Sequence, residues 1–216
     1  MMPTPVHPST RLPVVVMALS LLGCTARTAL AQQAPIPADT AQDLPPAGYG
    51  TLHQDDVALR LATESVQLSV IPLDERVTRL LAPDSYQSLH RLVTSRAREI
   101  DSVASRSGVQ RPSVFLVTFF GVGPRAAFSP DEVTITSQSR LFRPVAMLPL
   151  SAAWSELRLN QRETASALYV FEGGLTLNQP LTLSYGGASS DQWENTLRVL
   201  ERERARVYGR ATSRAP

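Results

Sequence analysis

The chain has 216 residues, 43% hydrophobic and 19% charged, enough for one globular domain with its own core and some length outside it. Its formal charge of +2 and pI near 9.0 suggest an anionic partner. All acidic residues lie after residue 31, however, whereas Arg11 and Arg27 precede it. A chain starting at Gln32 therefore carries equal numbers of the two signs, and a nucleic-acid footprint is excluded.

Every basic residue is arginine and none is lysine. With only three asparagines and four isoleucines, this reads as codon bias in a GC-rich bacterial genome rather than selection for bidentate contacts.

The first element is a leader. Arg11 precedes the uncharged run Leu12 to Leu22 (LPVVVMALSLL), which has the length of a signal-peptide core and falls short of the ~20 residues a membrane-spanning helix needs. Two cuts follow. Ala29-Leu30-Ala31 offers small residues at both positions a general signal peptidase reads, making residues 1–31 the expected signal peptide. Leu21-Leu22-Gly23-Cys24 resembles a lipobox, with Leu22 bulkier than that motif favours, and gives the alternative cut after 23 with Cys24 lipidated. Either cut predicts an extracytoplasmic protein, periplasmic or secreted, with membrane contact only through a lipid on Cys24. No cysteine follows residue 24, so the fold is expected to do without disulfides.

Residues 32–59 begin with QQAPIPADTAQDLPPAGYG and read as a disordered linker, with a single domain at 60–209 and a tail at 210–216. Val66, Leu68 and Val70 alternate with polar residues and predict a strand ending at Pro72. A short helical turn is expected over 75–81. Apolar residues at three- and four-residue steps then predict one amphipathic helix over about 84–107, capped by Asp84 with Gln87 and stopped by Gly108. VFLVTFF at 114–120, apolar apart from Thr118, predicts a central strand covered on both faces. A hairpin is expected from Val133–Thr136 and Leu141–Leu148, its second strand at an edge or bulge because of Pro144. ALYVF and LTLSY supply two more strands, and a helix over 189–209 closes the chain, its ERERAR run read as a solvated face.

These elements predict an α+β fold: an antiparallel β-sandwich of immunoglobulin type with a helical insertion and a C-terminal helix. The succession VFLVTFF, SPDEVTITSQSRLFRPVAML, ETASALYVFEGG and QPLTLSYGG, over about residues 113–186, resembles telokin-like immunoglobulin-fold domains of small bacterial secreted proteins and lipoproteins. The resemblance rests on structural residues and carries no shared catalytic set. The two helices depart from its pattern.

No GxSxG, HExxH or CxxC spacing occurs, and of the three histidines only His53 and His90 lie beyond the leader. No catalytic residue, metal ligand or cofactor is expected. The connection Leu150 to Glu163 is long for a sandwich. Its Trp154, Arg158 and Arg162 are of the types that dominate recognition surfaces and are the candidate binding residues. The competing expectation folds Trp154 and Leu157 back over the end of the sandwich and pairs the charges with one another. The chain thus reads as a non-enzymatic binding or structural module of the bacterial envelope, its partner a protein or an envelope polymer; the alternative is a periplasmic hydrolase.

Overall fold

The computed structural model describes residues 44–214, which belong to one compact unit. The leader, both cuts with Cys24, residues 32–43 and the last two residues lie outside the described residues.

The fold is α+β and its sheets are antiparallel. Strand β3 (Ser113–Gly121) lies at the middle of a five-stranded sheet, between β2 (Val66–Pro72) and β9 (Thr164–Phe171), with β1 (Leu59–Ala62) and β7 (Pro144–Pro149) at the edges. A second sheet has the order β11 (Ala188–Ser190), β10 (Leu181–Tyr185), β5 (Thr134–Ser137), β6 (Arg140–Phe142). A small ribbon pairs β4 (Ala126–Ala127) with β8 (Arg158–Leu159).

Period-two alternation sends Phe115, Val117 and Phe119 to the inner face of β3, beside Val70, Leu68, Ala167 and Tyr169 of its neighbours. These pack with Ile135, Phe142, Leu181, Leu183 and Tyr185 of the second sheet into one core, giving a sandwich-like arrangement. Burying a side chain of this size stabilises by about 1.5–3 kcal/mol.

Two turns fix the second sheet. Gln138 and Ser139 both have positive φ, as do Gly186 and Gly187, so β5–β6 and β10–β11 are two-residue hairpins of the primed kind that match strand twist. The hairpin expected to run to Leu148 is shorter. After Phe142 the chain leaves the second sheet, and Pro144 enters β7 of the first beside a register shift. Proline has no N–H to continue the ladder, so the change of sheet falls at that residue.

The helix expected over 84–107 is two: α3 (Pro83–Ser95) and α4 (Ala97–Arg106). The Thr94 hydroxyl donates to the His90 carbonyl and the Ser95 hydroxyl to that of Leu92, a competition with backbone bonding that bends helices. At the start, Pro83 occupies the first turn and no side chain caps it, so the Asp84–Gln87 pair is replaced by Asp84 favouring the helix dipole. At the end, Gly108 takes φ +68, with Val109 N–H donating to Ala104 O and Gly108 N–H to Ser105 O, the hydrogen bonds of a Schellman cap.

The C-terminal helix α5 spans Trp193–Arg214, starting four residues later and ending five later than expected, because 188–190 pair as β11. Its inward stripe is Trp193, Thr196, Leu200, Glu203 and Val207. Glu203, 1% exposed, corrects the reading of ERERAR as wholly solvated: steps of three from Leu200 and four to Val207 carry it inward.

Residues 44–59 are not the expected linker. Helix α1 (Gln54–Val57) and the strand start at Leu59 bury Val57, Ala58 and Leu59, and Leu52 bridges to Leu81. The anchors are isolated apolar residues without a period, held by partners distant in sequence. Gly50 passes so close to helix α2 (Glu75–Thr78) and the turn after it that a Cβ would overlap the Leu80 and Leu81 carbonyls. Gly50→Ala is therefore expected to lower stability by about 1–3 kcal/mol through overpacking, read by chemical denaturation.

Candidate functional site

The outer face of the five-stranded sheet is divided. Leu116 and Val114 of β3, with Leu168 and Val170 of β9, are covered by Leu92, Val93, Ile100 and Val103 of α3 and α4. Beyond that cover, pairing aligns two rows of outward residues: Ala62, Gln67, Phe120 and Thr164, and next to it Arg60, Ser69, Thr118 and Ser166. All of these but Ser166 line a cavity of about 620 Å³ walled at one side by Asp55 and Gln192.

This groove is almost uncharged. Its ions, Arg60 and Asp55, pair at 2.6 Å, and the Gln192 side-chain Oε1 accepts from the Arg60 backbone N–H at 3.3 Å. The Thr118 and Ser166 hydroxyls are bonded to each other at 2.9 Å, which fixes their rotamers. Half-buried Phe120 is the aromatic in the lining. The expectation that β3 is covered on both faces therefore holds for one half only. The signal in the sequence was Thr118, the polar residue in VFLVTFF, with Gln67 and Ser69 in register with that strand.

A second cluster joins α2 to α3. Glu75 Oε2 accepts from Arg79 Nε at 2.5 Å and from the Tyr86 hydroxyl at 3.0 Å, while Oε1 lies 2.9 Å from His90 Nδ1. Burial works to raise the Glu75 carboxyl, but the hydrogen bonds from Arg79, His90 and Tyr86 outweigh it and hold the group below its usual range. Burial, aided by the Glu75 charge, pushes the Tyr86 phenol up. This is the geometry of a carboxylate that orients an imidazole. No hydroxyl or thiol is hydrogen-bonded to the His90 ring among the described residues, and the principal cavities are not lined by it.

The residues predicted from the 150–163 connection separate. Trp154 is 8% exposed and packs against Phe119, Phe128 and Tyr169, with ring centroids 5.6–5.9 Å apart, so it belongs to the core and not to a recognition surface. The local cause is a 3₁₀ turn over Ala152–Glu156 that turns the indole under the sheet. Leu157 does not fold back with it: it sits at φ 52 and 46% exposed. Arg158 and Arg162 are exposed at this end, and register puts Arg158 opposite the exposed Ala127 of the ribbon. Glu163 accepts from the Asn160 N–H rather than pairing with either arginine. Cys24 lies outside the described residues.

Among the described residues no three His, Cys, Asp or Glu side chains converge as metal ligands, and no helix is long and apolar enough to cross a membrane. Compared with protein-family models, curated proteins and solved structures, the chain finds no match in any of the three.

Trp154→Ala is expected to cost about 3–5 kcal/mol in a denaturant titration, whereas Arg158→Ala and Arg162→Ala should stay within about 0.5 kcal/mol of wild type. For the second cluster, Glu75→Gln should cost about 1 kcal/mol at neutral pH, discounted for its partial exposure. The Glu75 carboxyl is depressed in the fold, so its contribution is complete above the unfolded value of about 4.3 and is lost as pH falls through the folded one. Melting curves of wild type and variant should accordingly converge on acidification.

Proposed function

We propose that this chain is a non-enzymatic binding module of the bacterial cell envelope, and that its ligand is a neutral, hydroxyl- and amide-rich envelope polymer lying along the open half of the five-stranded sheet. One observation carries this reading: a groove of uncharged polar side chains around an aromatic, with its single ion pair already satisfied. Polar side chains fix orientation in such sites, and an aromatic contributes area at little entropic cost. The leader supports delivery outside the cytoplasmic membrane, through cleavage after Ala31 or, alternatively, lipidation of Cys24.

The immunoglobulin-like assignment and the telokin-like resemblance belong to the same proposal. They draw support from two antiparallel sheets sharing one core, with the chain changing sheet between β6 and β7 and again between β9 and β10. The Glu75–His90 pair favours the alternative, a periplasmic hydrolase, since it orients an imidazole. It lacks a nucleophile bonded to that ring, and Arg79 and Tyr86 already occupy the other carboxylate oxygen, as in a structural tie between helices.

Sedimentation with purified peptidoglycan sacculi tests the reading. Phe120→Ala should reduce the bound fraction about tenfold with little change in melting temperature, the size expected for losing one aromatic contact. Equal retention of wild type and variant, or turnover abolished by His90→Ala, would overturn it.

A further inference from the structure

The last turns of α5 and the segment Gly48–Thr51 line an open cavity of about 700 Å³ at the opposite end of the helix from the sheet groove. Arg206, Arg210 and Arg214 recur at four-residue steps, which places their guanidinium groups along one helix face, and all three line the cavity. One carboxylate opposes them. Glu203 Oε1 accepts from the Thr51 backbone N–H at 3.0 Å, from the Thr51 hydroxyl at 2.9 Å and from Arg210 Nη2. Its Oε2 is 3.9 Å from Arg206 Nη1, beyond hydrogen-bond distance, and both that oxygen and Arg210 Nε are buried without a hydrogen-bond partner among the described residues. Arg214 is exposed and forms no ion pair with a described residue.

Helix-dipole complementarity favours cations in a final turn and accounts for one or two of these arginines. It does not account for three of them lining one open cavity with an excess of two positive charges. Guanidinium groups match tetrahedral oxyanions through paired N–H donors, and a phosphate group, singly or doubly charged, answers the excess charge.

We propose that this cavity binds the phosphate group of an anionic ligand, with Arg206 and Arg214 as its exposed donors and Arg210, anchored by Glu203, as its fixed one. The site is independent of the sheet groove and stands or falls separately from it.

Calorimetric titration of the mature protein with inorganic phosphate, at constant ionic strength and against chloride, gives the first arm. Co-sedimentation with phosphatidylglycerol vesicles, against phosphatidylcholine, gives the second. The expected result is saturable binding of one phosphate, or binding to phosphatidylglycerol vesicles alone, weakened at least about tenfold in the double variant Arg206→Gln/Arg214→Gln. Both substituted residues are exposed, so the variant should melt with wild type when no ligand is present. Phosphate binding without vesicle binding identifies a soluble phosphate compound; vesicle binding that free phosphate competes away identifies a lipid headgroup. Absence of saturable binding in both arms, or a double variant that binds as wild type does, overturns the site.

Discussion

The two-sidedness of strand β3 is the constraint on which the rest of the molecule depends. Its residues alternate between a face that is buried along its whole length and a face that is buried along half. The inner half-set, Phe115, Val117 and Phe119, draws the second sheet, the Trp154 turn and the Tyr169 ring into one core. The outer half-set changes from apolar to polar at Thr118. Helices α3 and α4 cover the apolar part because leaving it in water would cost about 25 cal/mol per Å². In the remaining part Phe120 is the one apolar side chain that β3 presents, among Thr118, Gln67, Ser69 and Thr164, and a groove results.

The ends of the domain are fastened by polar contacts instead. Glu203 gathers Thr51 and Arg210 around a buried carboxylate, tying the segment before α1 to the last helix. Removing one partner of such a pair leaves an uncompensated charge and is far costlier than replacing the whole pair by apolar groups. At the core's other polar boundary, the Tyr169 hydroxyl donates to the Pro130 carbonyl, and Tyr185 Oη accepts from the Ser129 N–H. Two strands of different sheets thereby hold the one turn that leads into β5. Burial pushes both phenols above their usual range, so they remain neutral donors and acceptors.

Charge is partitioned in the same way. The groove on the sheet is neutral by composition and by internal pairing, whereas the cavity beside α5 carries excess arginine. Two surfaces of opposite character on one small domain suit a module that holds a neutral polymer with one face and an anionic group with the other. In this proposal the balanced total charge of the chain conceals a local imbalance.

Local signals are enough for the α+β class, the central place of β3, the stop at Gly108 and the turn at Gly186-Gly187, since each depends on periodicity along the chain or on a φ that glycine adopts cheaply. Reading Glu203 as solvated and 44–59 as linker failed for one reason, and the same reason decided between the two expectations for Trp154. Each of these is settled by partners remote in the chain, in Thr51 for Glu203, in Phe119 for Trp154 and in Leu81 for Leu52. Only the tertiary structure decided where the two helices stop covering the sheet, and hence that Gln67, Ser69, Thr118, Phe120 and Thr164 share an open groove. A strand's own sequence specifies which residues share a face; what lies over that face is fixed by the packing of elements remote in the chain.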